Sequence, residues 1–386
     1  MTLNTYKYDY FTSESVWKGH PDKICDTISD SILDEIIRID RGARVAVETF
    51  ATNHLIIIGG EITTYAKIDY REVAWTVLEK LGYTRDDFTI LVNINTQSPD
   101  IAMGVAKHLN DTIKAGDQGI VFGYAVKESH NLLPLSSEFS HHLLKELEKF
   151  KENSVLANWL KYDAKSQTTV ETSKETGEQR IKQVVISVQT IKNADLDTLK
   201  GVLHKYVIEP TLKFFNVEPT DDFEFLLNPT GAFTIGGPFA DTGLTGRKII
   251  VDSYGGHARH GGGCWSGKDL TKVDRSAAYY ARYVAKNIVA AGLADKFEIQ
   301  LNYVIGVEDI TAYHIETFGT QNVPHSAIHS VIKRFFNFSV DNIVKWLRGQ
   351  NVNYADFSVY GHFQEHAPWE KTDKAEKIAE FIALHY

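Results

Sequence analysis

The sequence predicts an α+β fold with helices packed against sheets. Three observations predict it. Helical spacing and strand alternation both recur along the chain, they do so without a strict strand–helix–strand order, and the composition suits buried cores. The chain has 386 residues, 43% hydrophobic and 24% charged, enough for two or three domains and unlike disordered or fibrous proteins. A net charge of −9 argues against nucleic acid or a membrane surface as partner, since both need a broad basic face. An anionic small substrate remains open, because it needs only local positive charge. Cys25 and Cys264 are too few for a disulfide framework or a cysteine-rich metal site. Residues 1–10 hold no apolar signal core, and the longest uncharged window, 225–240, is broken by Pro229, Pro238 and three glycines. No run approaches the roughly 18–20 apolar residues of a membrane span. A cytoplasmic protein is expected.

The elements follow in order. Ile24, Ile28, Ile32, Leu33, Ile36 and Ile37 fall at helical spacing, and Asp22, Asp26, Asp30 and Asp34 form a second stripe turned away from them. Pro21 suits the first helical position and Asp22 suits the helix dipole, so a helix starts just after His20. Alternation predicts strands over 44–50 and 54–64, a helix over 69–81 and a strand over 88–94. Residues 97–123 carry scattered glycines and little periodicity, reading as a long, lid-like loop that runs into a strand over 119–126. A helix is expected over 140–150, strands over 168–171 and 181–191, and a helix over 195–209 ending at Pro210. Residues 248–252 read as a short strand. Helices over 274–291, 325–336 and 374–383 and a strand over 298–307 complete the reading.

The segment 228–268 is the unusual part: its 41 residues hold 11 of the 27 glycines. Glycine at that density weakens regular structure, and close backbone approach to a ligand is a good reason for it. Between Asp241 and Arg275 lie Arg247, Lys248, Arg259, Lys268, Lys272 and Arg275 against four aspartates, so this stretch is positive in an acidic chain. Cations for charge and bare amides for cradling suit a polyphosphate; a solvated loop of mixed charge is the alternative. Gly262, Gly267 and Lys268 match the phosphate-loop spacing, but position 269 is Asp and the expected strand ends about ten residues too early, so that motif is rejected. His20-Pro21-Asp22-Lys23 opens a helix whose amides attract anions, with His20 and Lys23 as positive donors and Asp22 as a candidate Mg²⁺ carboxylate. A capped helix with surface charges explains those residues equally well. Spacing alone favours helix-dipole compensation over a Mg²⁺ role for Asp274.

Longer motifs narrow the reading. Phe11-Thr12-Ser13-Glu14-Ser15-Val16 and Gly19-His20-Pro21-Asp22-Lys23 come first, then Gly59-Gly60-Glu61-Ile62, Gln97-Ser98-Pro99-Asp100-Ile101 and Gly116-Asp117-Gln118-Gly119. Asp163-Ala164-Lys165-Ser166-Gln167, Asn228-Pro229-Thr230-Gly231, Gly243-Leu244-Thr245-Gly246-Arg247-Lys248 and Ala258-Arg259-His260-Gly261-Gly262-Gly263 follow. Ser266-Gly267-Lys268-Asp269, Lys272-Val273-Asp274-Arg275-Ser276 and Tyr360-Gly361-His362-Phe363 complete the set. In this order, across nearly the whole chain, they resemble the S-adenosylmethionine synthetases. The resemblance implies that ATP and L-methionine give S-adenosylmethionine and that the tripolyphosphate is then cleaved to phosphate and pyrophosphate. It implies two Mg²⁺ and a K⁺ per site. It also implies three similar domains with mixed sheets covered by helices, built partly from non-consecutive segments, with expected extents 1–107, 108–230 and 231–386. A homodimer or homotetramer is implied, with active sites between the subunits of each dimer.

Position by position, the resemblance places His20 on the oxygen bridging C5′ and phosphate. Asp22 and Asp274 fall to Mg²⁺, and Glu48 to K⁺. Lys165, Arg247, Lys248 and Lys268 fall to the phosphates, Asp117 and Phe233 to adenosine, with Asp163 and Cys264 also on the ATP side. Glu61, Gln97, Asp241 and Lys272 match methionine contacts, Asp241 also facing the nucleotide, and 97–107 matches a mobile gate. Trp17-Lys18, Ala232, His257 and Cys264-Trp265 depart from the common pattern, as does the apolar gate stretch Ala102-Met103-Gly104-Val105-Ala106. None of these departures removes a cation or a metal ligand. Two rivals stand beside this reading: a kinase-like phosphotransferase or triphosphatase, and a silent nucleotide-binding subunit. The presence of His20, Lys165, Arg247 and Asp274 disfavours the second.

Overall fold

The computed structural model describes residues 4–96 and 112–386. The expected gate, 97–107, and Gln97 with it, lie outside the described residues. Helix α1 (Pro21–Ile39) starts after His20 as the proline and the acid predict. Its isoleucines pack on β2 (Arg44–Thr52) and β3 (Leu55–Thr63), an antiparallel pair in which Val45, Val47, Ile56 and Ile58 are buried. Helix α2 (Tyr70–Lys80), capped by Asp69, crosses over to β4 (Thr89–Asn95), which runs parallel to β3. The two-residue strand β9 (Gly243–Leu244) closes the other edge of this sheet, giving the order β4-β3-β2-β9.

The second sheet joins β1 (Tyr8–Val16) to β6 (Leu160–Ser173), β7 (Gln179–Thr190) and β8 (Pro219–Leu227), with β1, β6 and β7 antiparallel and β8 parallel to β7. Helix α3 (Leu135–Asn153) covers it, with Leu143, Leu144 and Leu147 buried. The third sheet, β11-β10-β5, is antiparallel and joins β5 (Gly119–Val126) to β10 (Lys296–Tyr303) and β11 (Ala312–Glu316). Helix α6 (Val273–Ala290) packs on it. The result is a three-unit α+β architecture with mixed sheets whose strands come from non-consecutive segments. The first and third units share one continuous core; the second has its own.

Several expectations need correction. The helix expected to stop at Pro210 does not stop. Helix α4 (Leu196–Leu203) passes through a π-turn (His204–Ile208) into α5 (Glu209–Phe215), with Pro210 in the first turn of α5. A proline lacks the N–H for the i−4 carbonyl, and the wider turn absorbs that mismatch. The expected strand over 248–252 is a single helical turn, Ile249–Asp252. The strand expected over 168–171 belongs to the much longer β6, whose polar face hid its length. Strands β8 and β11 and helix α8 (Val340–Arg348) were not read from the sequence; between α6 and α8 lies α7 (His325–Phe335), and α9 (Ala375–His385) ends the chain. Among the described residues, no helix is long and apolar enough to cross a membrane.

Candidate active site

The N-terminus of α1 builds the first part of the site. His20 caps the helix, its Nδ1 accepting the Asp22 amide hydrogen at 3.2 Å. Burial, then the Lys248 charge, pushes the imidazole pKa down to about 3, so the ring is neutral near pH 7 and not the positive donor expected from sequence. With Nδ1 accepting, the ring proton sits on Nε2. Asp22 is buried. Its Oδ1 accepts the Leu244 amide at 3.0 Å, Lys248 Nζ lies 2.5 Å from Oδ2, and Arg247 Nε lies 3.6 Å from Oδ1. Burial would raise this carboxyl, but Lys248 and the Leu244 amide outweigh it and hold Asp22 below the usual range. Lys165, exposed on β6, acts electrostatically on both His20 and Asp163. Asp163 accepts the Gly237 amide at 2.7 Å, and burial pushes it up to about 6. Asp241 is exposed and within electrostatic reach of Asp163.

The second part lies along the glycine-rich segment and the start of α6. Lys268 Nζ is 2.6 Å from Asp274 Oδ2. A Cβ on Gly263 would sit 2.2–2.5 Å from the Asp274 carboxylate, so a side chain there would displace that carboxylate. Cys264 packs its side chain against Gly246, whose φ of +80° and close contact exclude a side chain. Burial pushes the Cys264 thiol up to about 11. Glu48, exposed on β2, lies within electrostatic reach of both Lys268 and Cys264. Lys268 bridges to Ala46, which faces Glu61 across β2 and β3. Lys272 precedes α6, with Nζ 3.8 Å from Asp269 Oδ2. Asp117 is exposed in the loop before β5, and the Phe233 carbonyl accepts the Thr190 amide at 2.7 Å.

The two parts repeat one arrangement: a lysine paired with an aspartate beside glycine backbone. Behind them stands the acidic stripe of α1, which does not face solvent. Asp26 and Asp30 are fully buried, accepting the amides of Gly246 and Gly267 at 2.8 Å each. Asp34 accepts the Tyr354 and Ala355 amides, also at 2.8 Å each. Lys23, expected as an anion donor, is instead buried between Asp26 and Asp252. The helical spacing of these aspartates was legible in sequence; their partners, far along the chain, were not.

Other departures from the common pattern also find places. Trp17 is fully buried, donating from Nε1 to Tyr360 Oη at 2.8 Å, and belongs to the second core. Trp265 is buried among His362, Tyr279 and Phe363. His257 Nε2 lies 2.9 Å from Ser136 Oγ and its ring packs on Phe11. Ala232 is exposed. Among the described residues, no group of three or more His, Cys, Asp or Glu side chains is gathered for a metal. Asp22 and Asp274 are each a single hard carboxylate paired with a lysine, a donor type that fits Mg²⁺, which keeps several waters and takes few protein ligands.

Comparison with known proteins shows what the chain as a whole resembles. Residues 8–99 match the family model described as S-adenosylmethionine synthetase, N-terminal domain; 112–233 match the central domain and 235–371 the C-terminal domain. The chain is 48% identical over 376 residues to the S-adenosylmethionine synthase of Mycoplasmopsis pulmonis, covering 96% of this chain and 98% of the relative. It is 47% identical over 392 residues to that of Treponema denticola (97% and 98%) and 47% identical over 379 residues to that of Mycoplasma mycoides (96% and 97%). Matches to all three domain models, together with relatives 47–48% identical over nearly the whole chain, place the chain in the S-adenosylmethionine synthetase family, the methionine adenosyltransferases.

Proposed function

We propose that the chain joins the sulfur of L-methionine directly to C5′ of ATP. The S–C5′ bond forms as the C5′–O bond breaks, and the bonding pair leaves with the triphosphate. The sulfur is a neutral thioether with no proton to lose, so the step requires no general base. The observation that carries the reading is the pairing of Lys248 with Asp22 and Lys268 with Asp274 beside a neutral His20. These are groups for a polyphosphate leaving group rather than for activating a nucleophile.

In this reading His20 donates from Nε2 to the oxygen leaving C5′. Lys165, Arg247, Lys248 and Lys268 hold the phosphates; Asp163, Asp117, Phe233 and Cys264 lie on the nucleotide side; Glu61, Gln97, Asp241 and Lys272 hold methionine. Asp22 and Asp274 would hold Mg²⁺ and Glu48 would hold K⁺. When bound, these ions add positive charge against the phosphate oxygens and beside Glu48. Alignment of sulfur, carbon and oxygen can supply on the order of 7–11 kcal/mol. Each charge-assisted hydrogen bond to phosphate adds roughly 1.5–3 kcal/mol, and those that strengthen as charge develops act on the transition state. The tripolyphosphate is then hydrolysed in place, water adding across one P–O–P bridge to give phosphate and pyrophosphate. Residues such as Glu61, Asp117 and Asp241 are exposed in the single chain, which supports a homodimer or homotetramer with sites completed between subunits.

The test is an incubation with ATP, methionine, Mg²⁺ and K⁺. A methionine-dependent sulfonium product with phosphate and pyrophosphate is expected; ATP hydrolysis or a phosphorylated acceptor without sulfonium would refute the reading. Arg247→Leu should lower kcat at least tenfold while KM for methionine moves little, since its contact tightens as triphosphate departs. An effect confined to the methionine KM would remove Arg247 from that role.

A further inference from the structure

One buried polar chain runs behind both cationic turns. Asp26 accepts the amide of Gly246, the residue before Arg247 and Lys248, and pairs with Lys23 at 2.9 Å. Lys23 also pairs with Asp252. His362 lies next, its Nε2 3.8 Å from Asp252 Oδ1, and its backbone N–H donates to the Asp252 carbonyl at 3.0 Å. His362 Nδ1 is 2.7 Å from Tyr279 Oη, which accepts from Arg275 Nε at 3.1 Å. Arg275 forks onto Asp30 at 2.7 and 2.9 Å, and Asp30 accepts the amide of Gly267, the residue before Lys268. All seven side chains are buried.

The donors fix the direction of this chain. Arg275 can only donate, so it occupies one lone pair of Tyr279 Oη. Tyr279 therefore donates to His362 Nδ1, which leaves the ring proton on Nε2, on the side of Asp252. That buried Nε2 makes no hydrogen bond, with Asp252 Oδ1 3.8 Å away, so the bond from the His362 backbone N–H to the Asp252 carbonyl carries the link between the two residues. Burial, Lys23 and Arg275 keep the ring neutral, in keeping with this arrangement. Such a network is expensive to leave half made, so each member holds its neighbours to one geometry.

We propose that Asp26 and Asp30, tied together through Lys23, Asp252, His362, Tyr279 and Arg275, are positioning residues that hold the Gly246 and Gly267 amides and so aim Arg247, Lys248 and Lys268 at a polyphosphate. The proposal rests on the reading of those three side chains as phosphate ligands. None of the seven touches substrate; they act through the two turns.

Calorimetric titration with inorganic tripolyphosphate in excess Mg²⁺ tests it without any turnover. Tyr279→Phe keeps the ring stacked on Trp369 and removes only the link between Arg275 and His362. Asp26→Asn keeps an acceptor for Gly246 but drops the charge facing Lys23. Tyr283→Phe, on the same helix, removes a hydroxyl bonded to Asp373, outside the chain, and serves as the control. Tyr279→Phe is expected to weaken tripolyphosphate binding at least tenfold, with KM for ATP rising and KM for methionine within twofold; Tyr283→Phe should bind as the unaltered protein does. Binding by folded Tyr279→Phe within twofold of the unaltered protein overturns the proposal, as does an equal loss in Tyr283→Phe. If Asp26→Asn does not fold, Tyr279→Phe decides alone. Tripolyphosphate binding by the unaltered protein without sulfonium formation would fault the proposed reaction and leave this inference standing; no binding at all would fault the reading of the cations on which it rests.

Discussion

Asp163 shows how one residue's environment becomes a measurable property. Its pKa is near 6 because burial penalises the carboxylate more than the Gly237 amide and Lys165 favour it. The folded state therefore binds this proton more tightly than the unfolded chain, and the stability associated with Asp163 falls as pH rises from about 4 through 6. Asp163→Asn keeps the acceptor and removes the charge. It should raise stability at pH 8 by up to about 3 kcal/mol, the worth of a two-unit shift, with the gain closing toward pH 4. Denaturant unfolding at the two pH values checks this; a gain equal at both would place the cause elsewhere. His20 has the opposite character: its pKa is depressed to about 3, so the contribution of its neutral ring is present above about 6.5 and is lost as pH falls toward 3. For Cys264 the raised thiol pKa means almost no thiolate at pH 7.5, so alkylation of the folded protein by iodoacetamide should run at least tenfold slower than that of a free thiol. Cys264→Ala should move KM for ATP more than KM for methionine, because the side chain packs on the turn before Arg247. Steady-state kinetics with each substrate varied decides that point. Cys264 stood out in sequence as an odd residue; its contact with Gly246 did not, because residues 18 apart meet only when the segment folds.

At the scale of the element, α1 does more than pack. Its isoleucine face enters the first core while its aspartate face holds three loops by their amides. Both faces follow from spacing, and the helix was readable for that reason. That the acidic face is buried could not be read, because its partners lie 220 to 321 residues away. Lys23→Met tests this docking. It leaves Asp26 and Asp252 without their shared cation, a loss expected to cost about 3–5 kcal/mol. Adding Asp252→Asn should recover part of that loss, so the double variant unfolds at a higher denaturant concentration than Lys23→Met alone. No recovery would mean that packing, not charge, dominates. The run α4 to α5 makes the complementary point. A proline usually ends a helix, yet the π-turn before Pro210 lets the axis continue, and only packing of Leu199, Leu203 and Val207 into the second core selects that outcome.

Across the whole molecule, the sheets exchange strands between distant parts of the sequence. β1 completes the second sheet from residues 8–16, and β5 belongs to the third although it lies between β1 and β6 of the second in sequence. A fragment spanning 112–233, the extent of the matched central domain, therefore lacks β1 and carries β5 without partners. Expressed alone it should show no cooperative unfolding transition by circular dichroism, and fusing residues 4–20 ahead of it should improve its folding; a fragment that folds fully by itself would contradict this account. Strand exchange depends on pairing between segments more than 100 residues apart, which no local window contains. What the amino-acid sequence determined unaided is the family, through long motifs, and the local elements whose period, caps and glycines act within a few residues. What only the tertiary structure decided is which charges meet: Asp22 with Lys248, Asp274 with Lys268, Lys23 away from solvent and His20 as a neutral ring. Those outcomes depend on burial and on distances of a few ångströms between remote residues, quantities that exist only after the chain has closed on itself.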